Sequence, residues 1–129
     1  MREILFRGKS NWSYGNVKKG DWLYGMTISR HCYNDEEITS YYIGGGNNTI
    51  DGKTLGQYTG LTDKNGKKIF EGDIVEYKEE YGEIAYDDEQ AMFNVLFDTW
   101  CTDFDHIYPY ELEVIGNIHD NSELLKGEQ

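Results

Sequence analysis

Proline is nearly missing from this chain, at one in 129 residues, and cysteine is scarce at two. Two cysteines are too few for the disulfide framework of a small secreted domain, so we expect Cys32 and Cys101 to be reduced, partly buried thiols. Long apolar runs are absent as well. Nothing approaches the roughly 20 consecutive apolar residues of a membrane span. The start, Met1-Arg2-Glu3-Ile4-Leu5-Phe6-Arg7, is too short in apolar residues for a signal peptide. The expectation is a soluble intracellular protein with no membrane partner. Without secretion, the acceptor-like triplets at Asn11 to Ser13 and Asn47 to Thr49 have no consequence. Positive charge is the remaining shortage: 12 Lys and Arg stand against 24 Asp and Glu, a net −12. Nucleic acids and anionic lipids need a basic surface, so both are unfavourable partners.

What is present is aromatic and glycine-rich. Three Trp, 11 Tyr and five Phe exclude a disordered acidic tail as the whole protein, and 15 Gly imply many turns. At 129 residues a single domain is expected. Charge divides it unevenly. Residues 1–68 carry ten Lys or Arg against seven Asp or Glu, a net +3, whereas residues 69–129 carry two against seventeen, a net −15. Either the acids solubilise exposed faces, or the mildly basic half of one subunit meets the acidic half of another.

Hydrophobicity alternates with period two. Trp22, Tyr24, Met26 and Ile28 would share one strand face. Phe93, Val95 and Phe97 alternate with Met92, Asn94 and Leu96, apolar on nearly both sides, which predicts a central strand. Leu112 to Ile118 alternates too, and shorter strands are expected at Glu3–Phe6, Ser40–Ile43, Thr54–Tyr58, Asp73–Tyr77 and Glu83–Tyr86. Asn65-Gly66 has hairpin-turn chemistry, and Gly44 to Asn48 reads as a hairpin end. Helix is expected only near the C-terminus, where Asp120, Asn121 or Ser122 can cap Glu123 to Lys126. The class is mainly β.

Candidate chemistry is thin. Gly44-Gly45-Gly46 lacks the third glycine of a dinucleotide loop, since position 49 is Thr49. Asp63 to Lys67 lacks the Gly and Glu of a calcium loop, whose positions hold Lys68 and Ile74. Asp103, Asp105 and His106, near Cys101, form the best metal candidate. In an extended segment His106 would point away, and two carboxylates alone make a weak site. His119 beside Asp120 offers an acid–base pair, while His31 and Cys32, as strand neighbours, face apart. We expect no catalytic, cofactor or metal residues.

The run from Thr54 through Gly56-Gln57-Tyr58-Thr59-Gly60-Leu61-Thr62-Asp63 to Lys64-Asn65-Gly66-Lys67-Lys68-Ile69-Phe70-Glu71-Gly72-Asp73-Ile74-Val75 resembles the central signature of the YopX family of bacteriophage and prophage proteins. Arg7-Gly8-Lys9 with Trp22-Leu23-Tyr24-Gly25, and Glu113 to Leu124, resemble its two ends, with Ser122 where the family tends to carry Pro. The resemblance implies a barrel-like or pseudobarrel β fold, homo-oligomerisation and a bacterial cytoplasmic setting, but no reaction. Glu71 to Tyr77, Gly82-Glu83-Ile84 and Phe93-Asn94-Val95 look, more loosely, like an SH3-like barrel. The expectation is therefore a single YopX-like domain, with residues 69–129 as an acidic SH3-like part. Its role would be a self-associating, non-catalytic protein-binding module whose partners are itself and a host or phage protein. Gln57, Tyr58 and Asp63 are expected to be exposed and to form its binding surface. The alternatives are an acidic nucleic-acid mimic that occupies a host protein, and a small metal-dependent hydrolase.

Overall fold

Alternating side chains, frequent turns and almost no proline favour short antiparallel strands. The computed structural model, which describes residues 3–33, 38–45 and 48–126, contains twelve of them. The chain divides into two compact units, one ending at Gln57 and the other beginning at Tyr58. This division falls eleven residues before the change in charge at residue 68.

In the first unit, β1 (Phe6–Lys9) pairs antiparallel with β2 (Trp22–Gly25), and on its other side with the first residues of β6 (Gly56–Thr62). A second sheet holds β3 (Ile28–Tyr33), β4 (Ile38–Ile43) and β5 (Thr49–Ile50), in that order. The core here is small: Ile43 and Ile50 are buried, together with Arg7, Ser10 and Thr54. Arg7 is tolerated inside because its guanidinium lies 4.7 Å over the Trp22 ring. The Thr54 hydroxyl accepts from the Lys9 N–H at 2.8 Å and donates to the Asp51 carbonyl at 2.6 Å.

The continuous strand expected from Trp22 to Ser29 is broken at Met26-Thr27. The Gly44 N–H donates to the Thr27 carbonyl at 2.9 Å, and the Thr27 hydroxyl donates to the Gly44 carbonyl at 3.1 Å, which fastens the bend. Tyr24 and Met26 face solvent, whereas Trp22 and Ile28 are half-buried. Two other boundaries move. The first strand lies at Phe6–Lys9 instead of Glu3–Phe6, and Gly52–Thr54 forms a 3-10 turn before β6. Of the expected Gly44 to Asn48 hairpin end, Gly46 and Asn47 lie outside the described residues; the Ile43 N–H donates to the Asn48 carbonyl across it.

In the second unit, β6 turns back into β7 (Lys68–Phe70), and a five-stranded antiparallel sheet follows. It comprises β8 (Asp73–Tyr77), β9 (Glu80–Asp87), β10 (Met92–Leu96), β11 (Cys101–Asp103) and β12 (Glu113–Asn117), in the order β11-β10-β9-β8-β12. The strand around Val95 is flanked on both sides, as its two apolar faces predict. Ile69, Val75, Ile84, Val95, Phe97, Ile107, Leu112 and Val114 make the core, against which Tyr77, Phe93 and Phe104 pack. Gly82 allows that packing: a Cβ there would meet Val95 Cγ1 at 2.9 Å and the Phe97 ring at 3.0 Å. A 3-10 turn at Pro109–Glu111 precedes β12, and a single helical turn, α1 (Glu123–Lys126), comes last. Among the described residues no ladder joins β11 to β12, so the sheet is open and not a closed barrel.

Candidate functional site

Of the three residues expected to be exposed for binding, Tyr58 and Asp63 are 8% and 5% accessible, and Gln57 is half-buried. The expected exposure fails because both buried side chains are used locally. Tyr58 packs on Phe70 with ring centroids 5.5 Å apart. Asp63 ends β6 and organises the following turn, in which Gly66 takes a left-handed φ of +80°. One carboxylate oxygen accepts from the Asn65 and Lys67 N–H groups at 2.9 Å, the other from the Val114 N–H at 2.8 Å. Burial raises the Asp63 carboxyl, but the donors from Val114, Lys67 and Asn65 outweigh it and hold the group below its ordinary value.

The candidate acid–base and metal residues are likewise drawn into turns. The chain is not extended beyond Asp103, so His106 does not point away. It curls back, and its Nδ1 lies 2.7 Å from Asp103 Oδ1, which also accepts from the Asp105 N–H at 3.0 Å. That shared hydrogen bond lowers Asp103 and raises His106, on an exposed part of the surface. After β12, Asn117 Oδ1 accepts from the backbone N–H groups of His119 and Asp120, while Asn117 Nδ2 donates to the Asp120 carboxylate at 3.2 Å. Among the described residues, no three His, Cys, Asp or Glu are grouped as a metal site would require. Neither Cys32 nor Cys101 is in a disulfide, and both are exposed instead of partly buried.

The concave feature of the second unit lies elsewhere. Gly82 turns toward the core, so its neighbours Tyr81 and Glu83 face the opposite side of β9, where Leu96 of β10 stands beside Glu83 in register. With Phe97, Asp98, Glu80 and Leu125 of α1 they line an open cleft of about 480 Å³. Its chemistry is two-sided. Leu96, Phe97, Tyr81 and Leu125 supply an apolar lining, and Glu80, Glu83 and Asp98 supply carboxylates. Trp100 stacks on Phe97 with centroids 4.5 Å apart, and its indole N–H donates to Glu80 Oε1 at 3.1 Å, fixing that carboxylate. Burial, and secondly the nearby negative charge of Glu71, raise the Glu83 carboxyl above its ordinary value. Sequence reading missed this cleft because Glu80, Glu83, Leu96 and Asp98 belong to two strands and a loop, and only strand register assembles them. In the first unit a second cleft, of about 460 Å³, is lined by Lys9, Ser10, Asn11, Lys19, Gly20, Ile50, Asp51 and Gly52, with Asp51 offsetting one of the two lysines.

The family model described as YopX protein matches residues 5–126. The chain belongs to the YopX family. A crystal structure of protein EF1440 from Enterococcus faecalis is similar in fold, with a TM-score of 0.53 and 24% identity over 97% of this chain and 99% of that one. No curated protein matches the chain. The segment of this YopX-family chain from Thr54 to Val75 is the β6–β7 hairpin and the entry to β8. Asp63 closes one of its turns. Asp73, whose carboxylate accepts from the buried Phe70 N–H at 2.7 Å, closes the next.

Proposed function

We propose that this YopX-family protein is a non-catalytic, self-associating protein-binding module of phage or prophage origin, working in the bacterial cytoplasm. One observation carries the reading: large apolar side chains stand in solvent on a chain of net charge −12. Tyr108 and Tyr110 stack at 5.3 Å with both rings more than half accessible, and Tyr24 and Met26 are as exposed in the first unit. Aromatics with low rotamer entropy are the anchors that protein interfaces favour. The acid–base candidates, by contrast, hold turns together, which supports a role without chemistry. The meander β8 to β11, followed by a 3-10 turn and a last strand returning to β8, supports reading the second unit as SH3-like within a pseudobarrel.

The test is co-purification of two differently tagged copies from one cell. Retention of the untargeted copy, reduced by Tyr108→Ser with Tyr110→Ser, supports self-association through these rings. Absence of the second copy with the unaltered protein contradicts it. A net charge of −13 on the second unit also favours the second reading, an acidic mimic that occupies a nucleic-acid-binding protein. That reading requires displacement of DNA or RNA from such a protein.

A further inference from the structure

We propose that the cleft lined by β9, β10 and α1 is a docking groove for an extended basic segment of a partner protein, one that alternates apolar residues with arginine or lysine. The inference rests on the binding-module reading and names the partner's chemistry. The groove is suited to a side chain that is apolar along its stem and cationic at its tip. Leu96, 40% accessible, and Leu125 and Tyr81, both half-buried, offer surface for an aliphatic stem. Glu80, Glu83 and Asp98 place carboxylates along the same groove, where they can accept from a guanidinium or ammonium.

Two features separate this occupant from others. The three carboxylates are not grouped as a metal site, so a bare divalent ion would lack its ligand set. A nucleic acid would bring phosphate toward a unit of net charge −13. A cationic polypeptide has the complementary charge, and a volume of about 480 Å³ admits a side chain with part of its backbone. Glu83 is unusual in being kept half-buried beside Glu71, an arrangement that disfavours its own charge. A partner cation beside it would favour its charged form.

The experiment is a heteronuclear NMR titration of the full chain, labelled with ¹⁵N. The probes are an acetylated, amidated hexapeptide of alternating Leu and Arg, the same peptide with citrulline for Arg, and spermine. The expected result is saturable shifting of the amides of Tyr81 to Ile84 and Leu96 to Asp98 by the Leu-Arg peptide, with little response to its neutral counterpart. Glu83→Gln should weaken binding about tenfold, the loss of one charge-assisted hydrogen bond, while leaving the rest of the spectrum in place. Leu96→Ser, at an exposed position the fold tolerates, should weaken it as well. Shifts spread over the whole acidic surface, or affinity indifferent to Glu83→Gln and Leu96→Ser, would overturn the groove. Equal or tighter binding of spermine at the same amides would overturn the polypeptide partner in favour of a free polyamine. Co-purification of tagged copies reads self-association independently, so either idea can fail alone.

Discussion

Asp63 and Glu83 show two opposite fates for a carboxylate in this chain. Asp63 accepts three backbone N–H bonds and is held below its ordinary value, so its ionisation favours the folded state. The stability it contributes is present above the unfolded value of 3.8 and is lost as pH falls through the folded value. Asp63→Asn has one acceptor oxygen for these donors, and should cost about 1–3 kcal/mol at neutral pH. Urea titrations should show the gap from the unaltered protein narrowing once pH falls below 3.8; a gap constant with pH would contradict the assignment. Glu83 runs the other way. Its folded carboxyl lies above the ordinary 4.5, so the charged form opposes folding, and stability declines as pH rises from 4.5 through the folded value. Glu83→Gln should therefore melt higher than the unaltered protein at neutral pH and equal to it well below 4.5. A residue that weakens the fold where it stands is one whose value is sought in binding.

At the scale of elements, β8 and β9 lie where strands are expected, but the turn that joins them has no turn-forming pair in the sequence. Tyr77 pairs with Glu80, so Lys78 and Glu79 alone make the turn, with left-handed φ values of 48° and 70°. Asn-Gly is the pair that prefers such a turn. Lys78→Asn with Glu79→Gly should stabilise the protein by about 1 kcal/mol, seen as a higher melting temperature in calorimetry. Gly82→Ala, in contrast, drives a methyl toward Val95 and Phe97 and should destabilise by about 1–3 kcal/mol with the strand order unchanged. The central strand around Val95, the Asn65-Gly66 turn and the short final helix were legible in sequence, because alternation, turn chemistry and capping act over a few neighbours. The break at Met26-Thr27 was not, because Gly44, 17 residues away, supplies the hydrogen bonds that hold it. Asp63 was misjudged for the same reason. A charged residue beside a turn reads as exposed, and only the Val114 N–H, 51 residues on, shows that it is an internal acceptor. The cleft of β9 and β10 was illegible altogether, since its carboxylates are meaningful only after register places them together.

For the molecule as a whole, the two units differ sharply in charge. Residues 1–57 carry seven Lys or Arg and six Asp or Glu, a net +1, and residues 58–129 carry five and eighteen, a net −13. The first unit is thus closer to neutral than the first 68 residues suggest, because Lys64, Lys67 and Lys68 belong to the second unit's hairpin. The self-association proposed above would therefore rest more on exposed apolar side chains than on attraction between oppositely charged halves. Exposed rim ion pairs contribute only about 0–1 kcal/mol each. Raised salt should then leave the assembled state largely intact, by screening the repulsion between acidic units as well as any attraction. Light scattering of the purified protein at micromolar concentration, in low and high salt, tests this most directly. The account predicts a mass of at least twice 15.0 kDa in both, and a single mass of 15.0 kDa at every concentration would contradict it.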